Sequence, residues 1–235
     1  MITKVLKTTD GQLKVSIPST LSEITLGMLI AMEEDNSDLE TISILSGIQK
    51  HELYNVRNIA DLEVFKEHVL SLAHQIKYQS DNPPLPKEIF IIGKKVKVPY
   101  NISIEPAGAF YECRNLIADE INQHIKDFGE DDWKEHFKPS LKTSALILAH
   151  YLYWPATGLL YDGEMAEAFQ KEVCKLSMTL ALPIAKHFFL NYPFLPTVKQ
   201  SYYKVIIQMW KRKLASINSR RLTTLTLLIL WLTVM

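Results

Sequence analysis

The 235-residue chain has little of what would assign it a chemistry at once. It has two cysteines, Cys113 and Cys174, far apart and set among apolar neighbours. They read as buried free thiols in a reducing compartment, and without cysteine pairs a zinc site has no basis. Eight glycines and eleven prolines exclude collagen-like and low-complexity classes. The charges balance, with 26 basic and 26 acidic residues, and hydrophobic residues make up 47%. Disorder, which needs low hydrophobicity and high net charge, is excluded. The N-terminus has no basic stretch leading into an apolar run, so no signal peptide is expected. The longest uncharged apolar run, Leu222 to Met235, holds 14 residues. As a helix it reaches about 21 Å, short of the ~30 Å hydrocarbon core. No GxSxG, GxGxxG, P-loop or HExxH pattern occurs. His51-Glu52 lacks a second histidine, and His68 and His74 fall on different helix faces. His150 and His187 lie on apolar helices, where a histidine is more often a satisfied core residue than a ligand. The acidic run Glu130-Asp131-Asp132 reads as a solvated loop rather than a cation site. No catalytic, cofactor or metal residue is therefore assigned.

The elements that are present alternate at recognisable periods. Residues 2–8 and 13–17 alternate polar and apolar about Asp10-Gly11, which predicts a hairpin ended by Pro18. Short helices follow. One runs from Thr25 to Glu34, and its acidic end Glu33-Glu34-Asp35 opposes the helix dipole and should fray. A second opens at the capping box Ser37-x-x-Glu40 and closes at Gly47. Residues 51–57 form one further turn. Asn58 caps a longer helix to about Tyr78, with Leu62, Phe65, Val69, Leu72 and Ile76 as its stripe. Asp81-Asn82-Pro83-Pro84-Leu85-Pro86 breaks the chain. A second hairpin is expected from Glu88 to Ile92, turning at Gly93-Lys94 and returning over residues 95–99. Its lysines mark a solvated or edge strand. The two hairpins could pair into one small sheet.

The second half is helical. Pro106 opens a helix with Phe110, Cys113, Ile117, Ile121 and Ile125 on one face, and residues 127–135 read as an acidic loop. Leu141 to Tyr153 is apolar nearly all round and predicts a buried central helix stopped by Trp154-Pro155-Ala156-Thr157-Gly158. Asp162 caps a helix to about Lys175. Residues 177–192 form another apolar helix, kinked or restarted at Pro183. Residues 198–214 form a last helix faced by Val205, Ile206, Met209 and Trp210. The expected fold is mainly α (α+β), a helical bundle-like domain with two small β-hairpins. Its segments are 1–80, 81–198 (as one domain with 1–80, if the hairpins pair) and 199–235, a basic helix and apolar tail.

Zero net charge hides an asymmetry. Residues 1–172 hold 17 basic and 26 acidic residues; residues 173–235 hold 9 basic and no acidic ones. The basic cluster is Lys211-Arg212-Lys213 with Arg220-Arg221, and Tyr202, Tyr203 and Trp210 accompany it. These eight residues are the candidate partner-binding set. Three uses stay open: an arm on the chain's own acidic surface, an arm for an acidic partner or nucleic acid, or a membrane contact through 222–235. The cluster is short and no nucleic-acid module is visible, which argues against nucleic acid.

Two stretches carry a resemblance. The first is Thr25-Leu26-Gly27 through Ile44-Leu45-Ser46-Gly47 to Asp61-Leu62. The second is Ala145-Leu146-Ile147-Leu148-Ala149, then Tyr153-Trp154-Pro155, Gly158 and Tyr161-Asp162, closing on Leu182-Pro183-Ile184-Ala185 with Phe188-Phe189. Together, over roughly residues 20–195, they resemble small helical morphogenesis proteins of tailed bacteriophages, nearest to tail assembly chaperones. The motifs are structural; none is catalytic. The resemblance implies a non-enzymatic protein that binds a tape-measure-like partner before the tail tube polymerises, in the host cytoplasm. Such chaperones are often extended by a frameshift, which would suit the abrupt tail. The two hairpins have no counterpart in that family, so a structural component of the virion is the competing expectation.

Overall fold

A computed structural model describes residues 1–33, 37–77, 84–101, 106–129 and 139–191. The expected class holds: eight α-helices and two two-stranded antiparallel sheets are seen among these residues. The expected helix at 198–214, the apolar tail and the acidic run at 130–132 lie outside them.

Strands β1 (Ile2–Thr8) and β2 (Gly11–Ile17) form the first hairpin. Thr8 pairs with Gly11, so the two-residue turn is Thr9-Asp10, one position earlier than the Asp-Gly pair implied. Lateral contacts hold it there. The Thr9 amide donates to the Asn55 carbonyl (3.0 Å) and the Arg57 amide to the Lys7 carbonyl (3.0 Å). Leu6, Val15 and Ile17 point into the core.

The short helices α1 (Leu26–Ala31), α2 (Asp38–Ser46) and α3 (Lys50–Tyr54) follow. The Ser37 box forms as read: its hydroxyl accepts from the Glu40 amide while the Glu40 carboxylate accepts from the Ser37 amide, and Gly47 ends α2 in the left-handed region. Helix α4 (Ile59–Lys77) is entered through Asn58, whose side-chain oxygen accepts from the Ala60 amide (3.1 Å). Its stripe buries Leu62, Phe65, Val69 and Leu72.

Strands β3 (Glu88–Ile91) and β4 (Lys94–Lys97) make the second hairpin. Ile91 pairs with Lys94, so the turn is Ile92-Gly93, again one residue earlier than expected. The two hairpins form separate sheets and do not pair, because the first leans on the segment before α4 while the second is drawn to the central helix.

Helix α5 (Ala107–Phe128) runs through Asp127 and Phe128, which had been placed in a loop; its last amide bond closes from Gly129 to the Ile125 carbonyl (2.8 Å). Helix α6 (Leu141–Thr157) is the buried centre, packed against α1, α5, β4 and the helices α7 (Gly163–Val173) and α8 (Met178–Asn191). It carries past Tyr153 through Pro155 to Thr157 and ends at Gly158, the last residue of the expected stop. Proline removes one amide donor near the helix end, but the Gly158 amide still closes on the Trp154 carbonyl (2.9 Å) and the Thr157 hydroxyl on the Tyr153 carbonyl (2.7 Å). Pro183 likewise sits inside α8.

Early and late segments are joined through the backbone. The Leu26 amide donates to the Leu176 carbonyl and the Gly27 amide to the Cys174 carbonyl (2.9 Å each), and the Met178 amide donates to the Ile24 carbonyl (2.8 Å). Gly27 permits this approach: a Cβ there would stand 3.2 Å from the Cys174 oxygen. Buried side chains from Leu6 to Phe189 make one continuous core.

Candidate interaction surfaces

Helices α1 and α2 diverge to leave an open groove of about 370 Å³. Gly27, Met28 and Ala31 line one side; Ser43, Ile44, Gly47, Ile48 and Gln49 line the other. Among the described residues none that lines it is ionisable. Small residues let a partner backbone approach closely, and Met28 can adapt to its shape.

A second apolar surface lies at the corner between α6 and α7. Trp154 is 45% exposed and Leu160 92% exposed, with Leu159 and Met165 beside them in sequence and also exposed. Of the aromatic run 151–154, Tyr151 and Tyr153 are buried and only Trp154 emerges. Phe188 and Phe189 are buried: Phe188 meets Tyr151 edge-on with ring centroids 5.4 Å apart. They are core residues.

Two polar clusters serve the fold. At the start of α6, the Ser140 hydroxyl accepts from the Thr143 amide (3.1 Å), and the Leu141 amide donates to the Glu33 carboxylate (3.1 Å). The Glu120 carboxylate accepts from the hydroxyls of Ser140 (2.6 Å) and Thr143. Glu33 thus sits at the wrong end of its own helix but at the right end of α6, where a carboxylate complements the dipole. Loss of water and the neighbouring Glu120 still hold the Glu33 carboxyl above its usual value, against the pull of the Leu141 amide. Near the other end of α6, His150 is 2% exposed and its Nδ1 lies 2.7 Å from the Tyr161 hydroxyl. Burial pushes the imidazole below its ordinary value, opposed by the carboxylates of Glu112 and Glu167. His187 differs from its expected core role: it is half-buried, with Nε2 2.9 Å from the Tyr100 carbonyl.

Among the described residues no group of three or more His, Cys, Asp or Glu side chains is placed to hold a metal ion. No described helix is long and apolar enough to cross a membrane. Cys113 and Cys174 are free thiols, the first buried and the second half-buried. The eight candidate residues Tyr202, Tyr203, Trp210, Lys211, Arg212, Lys213, Arg220 and Arg221 lie outside the described residues. The groove and the corner were not found from sequence. Exposed Leu159-Leu160 beside a glycine was the one available signal, and it reads equally as a buried turn.

Fold and surface together define a mainly α, α+β domain with an uncharged groove between two short helices. Comparison with protein-family models, with curated proteins and with solved structures gives no match.

Proposed function

We propose that this protein is a binding protein rather than a catalyst, and that it acts in tailed-phage morphogenesis in the manner of a tail assembly chaperone. The observation that supports this reading is the groove of Gly27, Met28, Ala31, Ser43, Ile44, Gly47, Ile48 and Gln49. Its described lining holds no ionisable side chain to act as general acid or base, and its one hydroxyl, that of Ser43, donates to the Ile48 carbonyl (2.5 Å) with no base beside it in the lining. It offers a seat for apolar side chains spaced along one face of a helix. The partner implied by the resemblance is a long, helical tape-measure-like protein, held before assembly.

The test is co-expression of the full chain with the tape-measure-like protein of its phage. Copurification is expected, together with absence of the protein from purified particles by mass spectrometry. Ala31→Arg, which fills the groove from an exposed position, should abolish copurification with an unchanged circular-dichroism melt. Many copies in the mature particle would establish the competing structural role instead. A partner bound equally well by Ala31→Arg would remove the groove from the account.

A further inference from the structure

The β3–β4 hairpin has two faces of opposite character. Ile89, Ile91, Val96 and Val98 are buried. The hairpin base is fastened to the bundle, since the Tyr151 hydroxyl donates to the Pro99 carbonyl and His187 meets the Tyr100 carbonyl. The outer face therefore has a fixed presentation. On it Phe90 stands opposite Lys95 and Glu88 opposite Lys97; Lys94, paired with buried Ile91, and Lys87 fall by alternation on the other side, one beside the tip and one just before the strand. All four lysines are exposed, and Glu88, the one acidic residue between positions 87 and 100, pairs with Lys95.

Lysines on an exposed strand need no ligand, because they guard an edge against pairing. That reading does not account for the apolar residues between them. Phe90 is 69% exposed. Ile92 is 38% exposed and occupies the first turn position at φ 45°, followed by Gly93 at φ 73°. A two-residue turn with both φ positive takes Asn, Asp or Gly at its first position. A β-branched residue there is strained. The turn thus carries an aliphatic side chain at a conformational cost, in a position where asparagine would be both soluble and relaxed.

We infer that this hairpin tip is an interfacial anchor for an anionic phospholipid surface, with Phe90 and Ile92 entering the acyl boundary and Lys95 and Lys97 on the outer face, with Lys94 beside the turn, meeting the headgroups. Charge complementarity selects an anionic partner. The shape selects among them: the tip is convex, and Ile92 at its apex offers an aliphatic side chain that a yielding acyl boundary takes up and a base does not stack on; Phe90 suits either receptor, so the oligonucleotide arm of the test separates the two. The site shares no residue with the groove and stands or falls apart from it.

The test is flotation of the full-length protein with phosphatidylglycerol-containing vesicles and with pure phosphatidylcholine vesicles. Binding to the first and not the second is expected. Ile92→Asn, which suits the turn and so keeps the fold, should lower partitioning about tenfold, as should Phe90→Ser. The triple reversal Lys94→Glu, Lys95→Glu, Lys97→Glu should lower it by more than about tenfold. No binding to anionic vesicles, or equal binding to neutral ones, overturns the proposal. So does binding that Ile92→Asn and Phe90→Ser leave unchanged; loss on lysine reversal alone, with matching affinity for a single-stranded oligonucleotide, would identify a general polyanion site instead.

Discussion

Replacing Gly108 by alanine should destabilise the protein, although alanine is the better helix former. Gly108 lies in the first turn of α5, and a Cβ there would stand 2.6 Å from both Cδ1 and Cε1 of Tyr161. Ordinary carbon contact begins about 1 Å further out. Two contacts hold the half-buried tyrosine where it stands. Its hydroxyl is 2.7 Å from His150 Nδ1, and its ring meets Tyr153 edge-on at 6.4 Å. Overpacking of this kind costs about 1–3 kcal/mol. Depriving a buried imidazole of its hydroxyl partner costs about 1–3 kcal/mol more where it occurs. The propensity gain is at most about 1 kcal/mol. The balance is a loss of about 2 kcal/mol, which in a chain of this length lowers Tm by about 4–8 °C. Thermal melts of the full chain by circular dichroism give the number. Gly108→Ala combined with Tyr161→Ala should lose less than the sum of the single losses, because the clash exists only while the ring is present. A single mutant as stable as the parent, or strict additivity in the double mutant, would refute the contact.

Three further outcomes follow from the polar clusters and turns. For Glu33 the native pKa is raised, so the folded state holds the proton more tightly and stability falls as pH rises above the ordinary carboxylate value near 4.5. Glu33→Gln keeps an acceptor for the Leu141 amide, so it should flatten that part of the pH–stability curve without loss at neutral pH, whereas Glu33→Ala should lose about 1 kcal/mol of capping in urea denaturation. For His150 the native pKa is lowered, so the unfolded state takes up the proton first and stability should fall as pH drops below about 6.5, an effect absent in a folded His150→Gln variant. Ile92→Asn should raise Tm by about 2–8 °C through relief of about 1–2 kcal/mol of left-handed strain, measured in the same melts.

The sequence carried the repeating elements well and the pairings between them poorly. The Ser37 capping box, the Gly47 and Gly158 stops, the Asp162 cap and the all-apolar span 141–153 are local, and local rules located them. Both hairpins were legible, yet both turns fell one residue early, because register is settled by lateral bonds such as Thr9 to Asn55 and by which face is buried. Pro155 misled for a similar reason: a proline near a helix end removes little, and the capping bonds beyond it are not visible in the residue type. Glu33 was read as an opponent of its own helix when its partner lies 108 positions away. The groove was missed because it is a gap between α1 and α2, and a gap has no motif. The basic residues from Lys211 to Arg221, conspicuous in sequence, lie where the structure describes nothing, so their role rests on experiment.

The backbone bonds that tie residues 24–27 to residues 174–178 also impose a schedule on synthesis. The first helix of the groove is held in place by the chain that enters α8, about 150 residues later. Contacts at such separation close late, since loop entropy must be met before they contribute. A nascent chain that has not yet reached Met178 cannot complete these bonds, and the wall formed by Gly27, Met28 and Ala31 is left without its support. The wall formed by α1 is therefore completed only once the chain has been translated through the start of α8.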